Sequence, residues 1–382
     1  MKASAPIYFF FSLIIIYFLQ GSLYTSGSLV SQGALVLFIS LNSYYLFKVI
    51  LLKKKPRFIV FWSLFIALIV LGFILTGEYS DSLFVSQLKN ILYFMSAFYP
   101  IYYWTSNGIL TANHIRVFAL ILLPVLIITF FTSETNIKIE ENRENVVNNA
   151  SYMFISLLPV LFFTKNRIIT LAITIIILAF LVIGSKRGAL VIGVLSAAFI
   201  LYFNIKHIQG KSIVSKFRNV LILVIMLSAG FIYLSDVIES NYYVFDRLEQ
   251  NQSTRPENYV SLWNNWYNST SYINLIFGYG YFSSPLYTPE GVMAHNDWLE
   301  ILNDFGIIGF IIYSLLLISF TKLIKKQRTI ELKYTQILVL FIWIFISFFS
   351  MWMNNYTNVM YAIVIGYLVG NLDELSSQKK RD

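Results

Sequence analysis

Between Ile7 and Leu368 one pattern recurs: an apolar run close to twenty residues long, closed off by charged or turn-forming residues. A hydrocarbon core of about 30 Å takes about 20 residues of helix to cross, so runs of this length read as membrane spans. Twelve stand at about 6–24, 27–51, 58–76, 85–104, 116–132, 150–164, 168–184, 188–204, 219–235, 298–320, 335–353 and 355–372. Such a chain cannot hide its apolar surface in a water-soluble globule. Of its 382 residues 57% are hydrophobic and 12% charged, where soluble domains carry about a quarter charged residues. A soluble enzyme, a DNA-binding protein and a disordered scaffold are excluded together. The expected fold is all-α, a polytopic integral membrane protein of about 12 transmembrane helices. The first run follows a single Lys2 and has no small-residue cleavage site, which predicts a retained helix and not a signal peptide. The expected division is 1–235 with helices 1 to 9, a large outer loop at 236–297, 298–372 with helices 10 to 12, and a tail at 373–382.

Lysine and arginine in short loops set the orientation. With the N-terminus cytoplasmic, that face collects Lys53, Lys54, Lys55 and Arg57, then Lys165 and Arg167, then the clusters at 206–218, 322–333 and 379–381. Both termini are then cytoplasmic. On this topology the net charge of +9 divides into +17 inside and −8 outside. The basic balance therefore records membrane insertion and says nothing of nucleic acid. Absence of cysteine removes disulfides, thiol nucleophiles and thiolate metal sites, and three histidines are too few for a His-rich centre. No metal and no cofactor is expected.

Seven cations remain on the acidic outer face: Lys89, Lys138, Arg143, Lys186, Arg187, Arg247 and Arg255. Lys186 and Arg187 lie in a tight turn between two apolar helices, and Lys89 sits near the outer end of the fourth span. Snorkelling to lipid headgroups is the plain alternative for all three. The outer loop is too long to be a mere connection and is not disordered in composition. It is rich in aromatic residues, Trp263 and Tyr279 among them, part of which belong to the belt found at any membrane surface. Gly278-Tyr279-Gly280 permits a tight turn. His295 opens HNDWLEILNDFGIIGFIIY at the start of the tenth span. A lone histidine is ordinarily structural, but the topology brings His295, Arg187, Arg255 and Lys89 to one membrane face. An imidazole, with an unperturbed pKa of about 6.5, suits proton removal from a hydroxyl, and guanidinium groups match phosphate oxygens in pairs. The residues point to a metal-independent transfer, at the outer face, on a substrate with a phosphate and a hydroxyl.

The stretch at His295 resembles the O-antigen ligase and O-antigen polymerase superfamily. That pattern is His, then Asn, Ser or Gln, nine arbitrary residues, Gly, two more, and Gly, Thr or Tyr; His295, Asn296, Gly306 and Gly309 meet it. SKRGAL at 185–190 resembles the family's outer turn, and STRPENYVSLWNNW followed by LIFGYG resembles its loop segment with Arg, Trp and a Gly-X-Gly turn. Trp263 follows Arg255 later than the pattern has it, so whether Arg247 or Arg255 is the loop arginine stays open. The resemblance implies a GT-C type glycosyltransferase of the bacterial inner membrane with a periplasmic loop. Its donor would be a saccharide on undecaprenyl diphosphate, and its acceptor a second glycolipid in the same bilayer. On this reading Arg187 and Arg255, helped by Arg247 or Lys89, hold the diphosphate and His295 activates the attacking hydroxyl. Lys186, Asn296, Trp263 and Tyr279 complete the binding set, and in-line displacement inverts the anomeric carbon. A chain-length regulator or a flippase is a further partner the resemblance allows. Polymerases outnumber ligases, which favours a polysaccharide polymerase over a ligase acting on lipid A core. A flippase or secondary transporter is the reading from a different class.

Overall fold

The computed structural model describes residues 4–19, 28–52, 55–77, 82–141, 147–164, 166–207, 255–353 and 358–378. These residues are helical, without strands. The α-helices are α1 (Ala5–Phe18), α2 (Leu29–Ile50), α3 (Arg57–Thr76), α4 (Ser82–Ser96), α5 (Phe98–Ser106), α6 (Ala112–Glu141), α7 (Ser151–Ile155), α8 (Arg167–Ile183) and α9 (Arg187–Lys206). Beyond 254 follow α10 (Arg255–Tyr267), α11 (Tyr272–Phe277), α12 (Ser284–Tyr287), α13 (Asp297–Leu323), α14 (Ile330–Phe349) and α15 (Val359–Gln378).

Among the described residues five helices are long and apolar enough to cross a membrane: Leu29–Ile50, Arg57–Thr76, Ala112–Ile139, Asp297–Lys326 and Ile330–Phe349. Shorter apolar helices at Ala5–Phe18, Ser151–Phe163, Arg167–Ile183, Gly188–Asn204 and Val359–Leu372 follow other expected spans. A polytopic membrane protein is thereby supported, and the described residues alone do not fix the number of spans at twelve. The expected ninth span, 219–235, lies outside the described residues. Three expected spans are not single regular helices: 85–104 divides at Ala97 between α4 and α5, 150–164 is α7 followed by a 3-10 segment at Leu158–Phe163, and 298–320 is interrupted at Gly306. Hydropathy reports apolar length and is blind to such local breaks. The most apolar window of α3 has mean hydropathy 2.9 yet is 28% buried. Apolar surface left open on this scale is what lipid, not water, would cover.

The chain forms two compact units. The first gathers residues 1–10, 35–111 and 253–382, and the second residues 11–34 and 112–252. In the second, Thr129 of α6 donates to the Phe18 carbonyl at 3.2 Å, and Phe154 stacks on Phe180 with centroids 4.7 Å apart. In the first, α15 lies against α5 through Gly366 and Gly370, where an added Cβ would come within 2.9 Å of the Phe98 and Tyr102 carbonyl oxygens respectively. Small residues four apart are the means by which membrane helices approach closely. Beside them Trp343 stacks on Trp352 at 5.0 Å and 10°, and Trp62 meets Trp343 edge-on at 6.0 Å. The Trp62 indole N–H donates to the Met95 carbonyl and that of Trp343 to the Tyr313 hydroxyl.

One departure from regular geometry shapes this unit. Helix α13 is broken at Gly306, which takes φ 60° and ψ −158°. A break strips the preceding carbonyls of their i+4 donors. Here the N–H groups of Tyr279 and Gly280 donate to the carbonyls of Asn303 and Asp304 at 2.8 and 3.1 Å. The two backbones touch: a Cβ on Gly306 would lie 2.5 Å from the Ile276 carbonyl oxygen and 2.6 Å from the Gly278 nitrogen, and one on Gly278 would lie 2.3 Å from the Asp304 carbonyl oxygen. Gly306→Ala must therefore both strain φ and part the two segments. It should lower stability by about 2 kcal/mol or more, read as an earlier thermal unfolding midpoint in detergent. Gly33→Ala, where an added Cβ meets nothing within 4 Å, should leave the midpoint in place.

Candidate functional site at the start of α13

Asn296 caps α13. Its side-chain oxygen accepts from the N–H groups of Trp298 and Leu299 at 3.1 and 3.2 Å, and its amide donates to the Phe348 carbonyl at 3.3 Å. An asparagine at this place satisfies helix N–H groups that have no partner within the helix. His295, just before the cap, is half-buried and takes φ 60°. Its N–H donates to Glu300 Oε1 at 2.8 Å and its carbonyl accepts from the Tyr259 hydroxyl at 3.4 Å.

Helix α10 brings the loop arginine to the same place. Arg255 donates from Nη1 to the Phe349 carbonyl at 2.8 Å, and Tyr259, one turn on, reaches the Phe348 carbonyl at 3.4 Å. Phe348 and Phe349 end α14, where carbonyls lack donors and the helix dipole is negative, so a guanidinium is favoured there. Burial pushes the Tyr259 hydroxyl above its usual range, against the lowering pull of the Arg255 charge and the Asn296 hydrogen bond. It is a neutral donor. Arg255, His295 and Asn296 thus share one cluster at the C-terminus of α14.

The other expected residues fall out differently. Trp263 is 45% exposed and stacks on Tyr267 at 5.8 Å and 11°, an open aromatic face two turns along α10 from Arg255. Tyr279 is tied into its own loop: its hydroxyl donates to the Asn265 carbonyl at 2.9 Å and its ring lies 4.8 Å from that of Tyr287. Lys89 lies half-buried on α4, within the same unit as His295. Lys186 and Arg187 belong to the other unit. Their turn is built locally: the Asn148 N–H donates to the Gly184 carbonyl at 2.9 Å, Ser185 takes φ 51°, and Gly188 leaves room for the Tyr152 hydroxyl. Arg247 lies outside the described residues.

Three buried carboxylates were not anticipated. Asp297, Glu300 and Asp304 are 2%, 6% and 6% exposed, and among the described residues none is ion-paired. Asp304 accepts at one oxygen from the N–H and hydroxyl of both Ser283 and Ser284, at 2.9 to 3.1 Å, and at the other from the Phe282 N–H at 3.0 Å. Asp297 accepts from the Trp352 N–H at 3.0 Å. The signal was in the sequence: the spacing i, i+3, i+7 puts all three on one helix face within an apolar run, where ionisable residues are costly. Burial, and then the Asp304 charge, push the Tyr281 hydroxyl up. Among the described residues no group of three or more His, Cys, Asp or Glu could hold a metal ion.

Positive φ at a non-glycine residue stores strain and gathers at functional sites. Among the described residues it occurs at Ser185 and His295, which open two of the motifs, and at Phe282, two residues past LIFGYG. Residues 152–314, which contain all three, match the family model described as O-antigen ligase. Over those residues the chain is similar to the O-antigen ligase family. The resemblance to the O-antigen ligase and polymerase superfamily is thereby borne out, and with it a function of the ligase or polymerase type. No curated protein matches the chain.

The family's histidine pattern acquires a physical meaning here. His295 adopts the left-handed turn, Asn296 caps the helix, Gly306 breaks it, and Gly309 leaves space where a Cβ would meet Phe305 Cβ at 2.4 Å. Asp304 fixes the loop that fills the break. Asp304→Ala would strand several buried donors, each costing about 1–3 kcal/mol. Limited proteolysis should then cut within 279–287 where the unaltered protein resists, and the thermal midpoint should fall.

Proposed function

We propose that the protein is an integral-membrane glycosyltransferase that moves a saccharide from a polyprenyl diphosphate carrier, undecaprenyl diphosphate in bacteria, to a sugar hydroxyl of a second glycolipid. It works at the periplasmic face of the inner membrane with both termini cytoplasmic, and acts as an O-antigen or capsular polysaccharide polymerase. The observation that carries this reading is the cluster in which a capped helix start, a left-handed His295 and the loop's Arg255 meet.

In the proposed step the acceptor oxygen attacks the anomeric carbon as the bond to the diphosphate oxygen breaks. His295 takes the hydroxyl proton, and the bonding pair leaves with the diphosphate. Arg255 gives one bond to the Phe349 carbonyl, and a guanidinium has five N–H donors, so most of its fork is left for phosphate oxygens. Lys89 is assigned to the same anion by charge and topology, and Arg187, Lys186 and Arg247 to anionic substrate at the same membrane face. A lipid diphosphate is already a good leaving group once its charge is met, so these cations take the place of a metal ion. Single displacement inverts the anomeric centre. Trp263 and Tyr267 offer the exposed aromatic face on which a sugar ring can stack.

General-base removal typically costs about 10²- to 10⁴-fold in rate. Cells carrying His295→Ala at matched protein level should therefore show single-repeat glycolipid in place of a polysaccharide ladder on a gel. Long polymer retained on the carrier lipid would reassign the chain to ligation, and an unaltered ladder would remove His295 from catalysis. Purified protein with lipid-linked donor and acceptor should form a new glycosidic bond, which a transporter would not.

A further inference from the structure

We propose that Glu300 is the positioning residue for His295, its buried carboxylate holding the histidine backbone in the left-handed turn from which the side chain departs. The inference rests on the reading of His295 as the general base, but its structural half stands on its own. A left-handed φ at a side-chain-bearing residue persists only where the surroundings over-determine it. Both ends of this residue are fixed. The His295 N–H ends on Glu300 Oε1 at 2.8 Å, its carbonyl takes the Tyr259 hydroxyl at 3.4 Å, and the next residue is the helix cap. Glu300 lies on the first turn of α13, so its carboxylate reaches back over the cap to the residue before it. The same carboxylate also meets the Asn296 N–H, as an ordinary capping pair does, and the bond to His295 is added to it.

The placement is expensive, which argues against a passive role. Glu300 is 6% exposed and, among the described residues, has no cationic partner, while Asp297 and Asp304 stand three residues before and four after it on the same face. Three carboxylates on one buried face repel one another and resist desolvation. The Asn296 side chain caps the helix N–H groups, and Glu300 takes the N–H of the cap residue itself. What Glu300 adds beyond that capping pair is an acceptor for the His295 N–H. That bond sets the direction in which the His295 Cα–Cβ bond leaves the chain.

The test compares side chains of similar length, Glu300→Met without an acceptor and Glu300→Gln with one. The chain has three histidines, so protein labelled with ¹³C and ¹⁵N at histidine gives three backbone signals, and His295→Ala identifies the one from His295. Glu300→Met should move the His295 amide and Cα signals away from left-handed values and leave those of His114 and His207 in place. Glu300→Gln should restore them. Polymer formation at matched protein level should fall about 10- to 100-fold in Glu300→Met, the scale on which misplacement of a reacting group acts. It should recover in Glu300→Gln, and His295→Ala should be no further impaired by adding Glu300→Met. Unmoved His295 signals in Glu300→Met, or an additive loss in the double variant, would overturn the proposal. Should His295→Ala retain full polymer while Glu300→Met still moves the His295 signals, the catalytic reading of His295 falls and the positioning contact stands.

Discussion

Backbone carbonyls inside a membrane protein have no bulk water to turn to, so a helix can be broken there only if another backbone supplies the missing donors. At Gly306 the supplier is the Gly278-Tyr279-Gly280 turn, whose N–H groups reach the carbonyls of Asn303 and Asp304. The arrangement needs glycine on both sides, since a Cβ on Gly306 or on Gly278 would fall within 2.6 Å of the facing backbone. Asp304, at the end of the first half of α13, then binds Phe282, Ser283 and Ser284 and closes the loop over the break. Break, turn and carboxylate are one device. Its effect is to free the first nine residues of α13 from the direction of the long apolar helix that follows.

That freed segment is steered by a second helix end. The last carbonyls of α14, Phe348 and Phe349, lack intrahelical donors, and the groups that reach them are Asn296, Tyr259 and Arg255. Ending α14 and assembling the site are therefore the same set of hydrogen bonds. The stacked pair Trp343 and Trp352 extends this order into the apolar core, because the Trp352 N–H donates to Asp297 in the first turn of α13. A change in core packing at Trp352 is thus coupled through one carboxylate to the residue two positions after His295.

Much of the class was legible from apolar run length alone, and five of the expected spans return as helices long enough to cross. What hydropathy could not show is where a run bends. The 85–104 run, with Gln87, Lys89 and Asn90 before the break and Pro100 after it, divides at Ala97, and α13 reads as one span although Gly306 divides it. Site residues were legible in proportion to their chemical rarity. His295, Arg255 and Asn296 stood out and do meet. Tyr279 was expected in the binding set, and its hydroxyl and ring are engaged within the loop. Asp297, Glu300 and Asp304 were passed over because acidic residues at an outer membrane face look like ordinary solvated charge. Their spacing on one helix face, and not their number, marked them as buried.

A proposed anionic donor must still approach a segment with three acidic residues, and the geometry indicates how the conflict is avoided. Each carboxylate is turned inward onto N–H or hydroxyl donors: Asp304 onto the serine turn, Glu300 onto the His295 amide, Asp297 onto the Trp352 amide. Arg255, in contrast, stays half-exposed with a single carbonyl bond on its fork. Coulomb interaction depends on the dielectric between the charges and on what each group already binds, so a phosphate of the proposed donor would be drawn to the half-exposed guanidinium more than it is opposed by buried carboxyl groups already engaged with donors. The buried carboxyl groups shape the backbone and the half-exposed guanidinium is left for the proposed substrate, a division of labour that an evenly polar site could not provide.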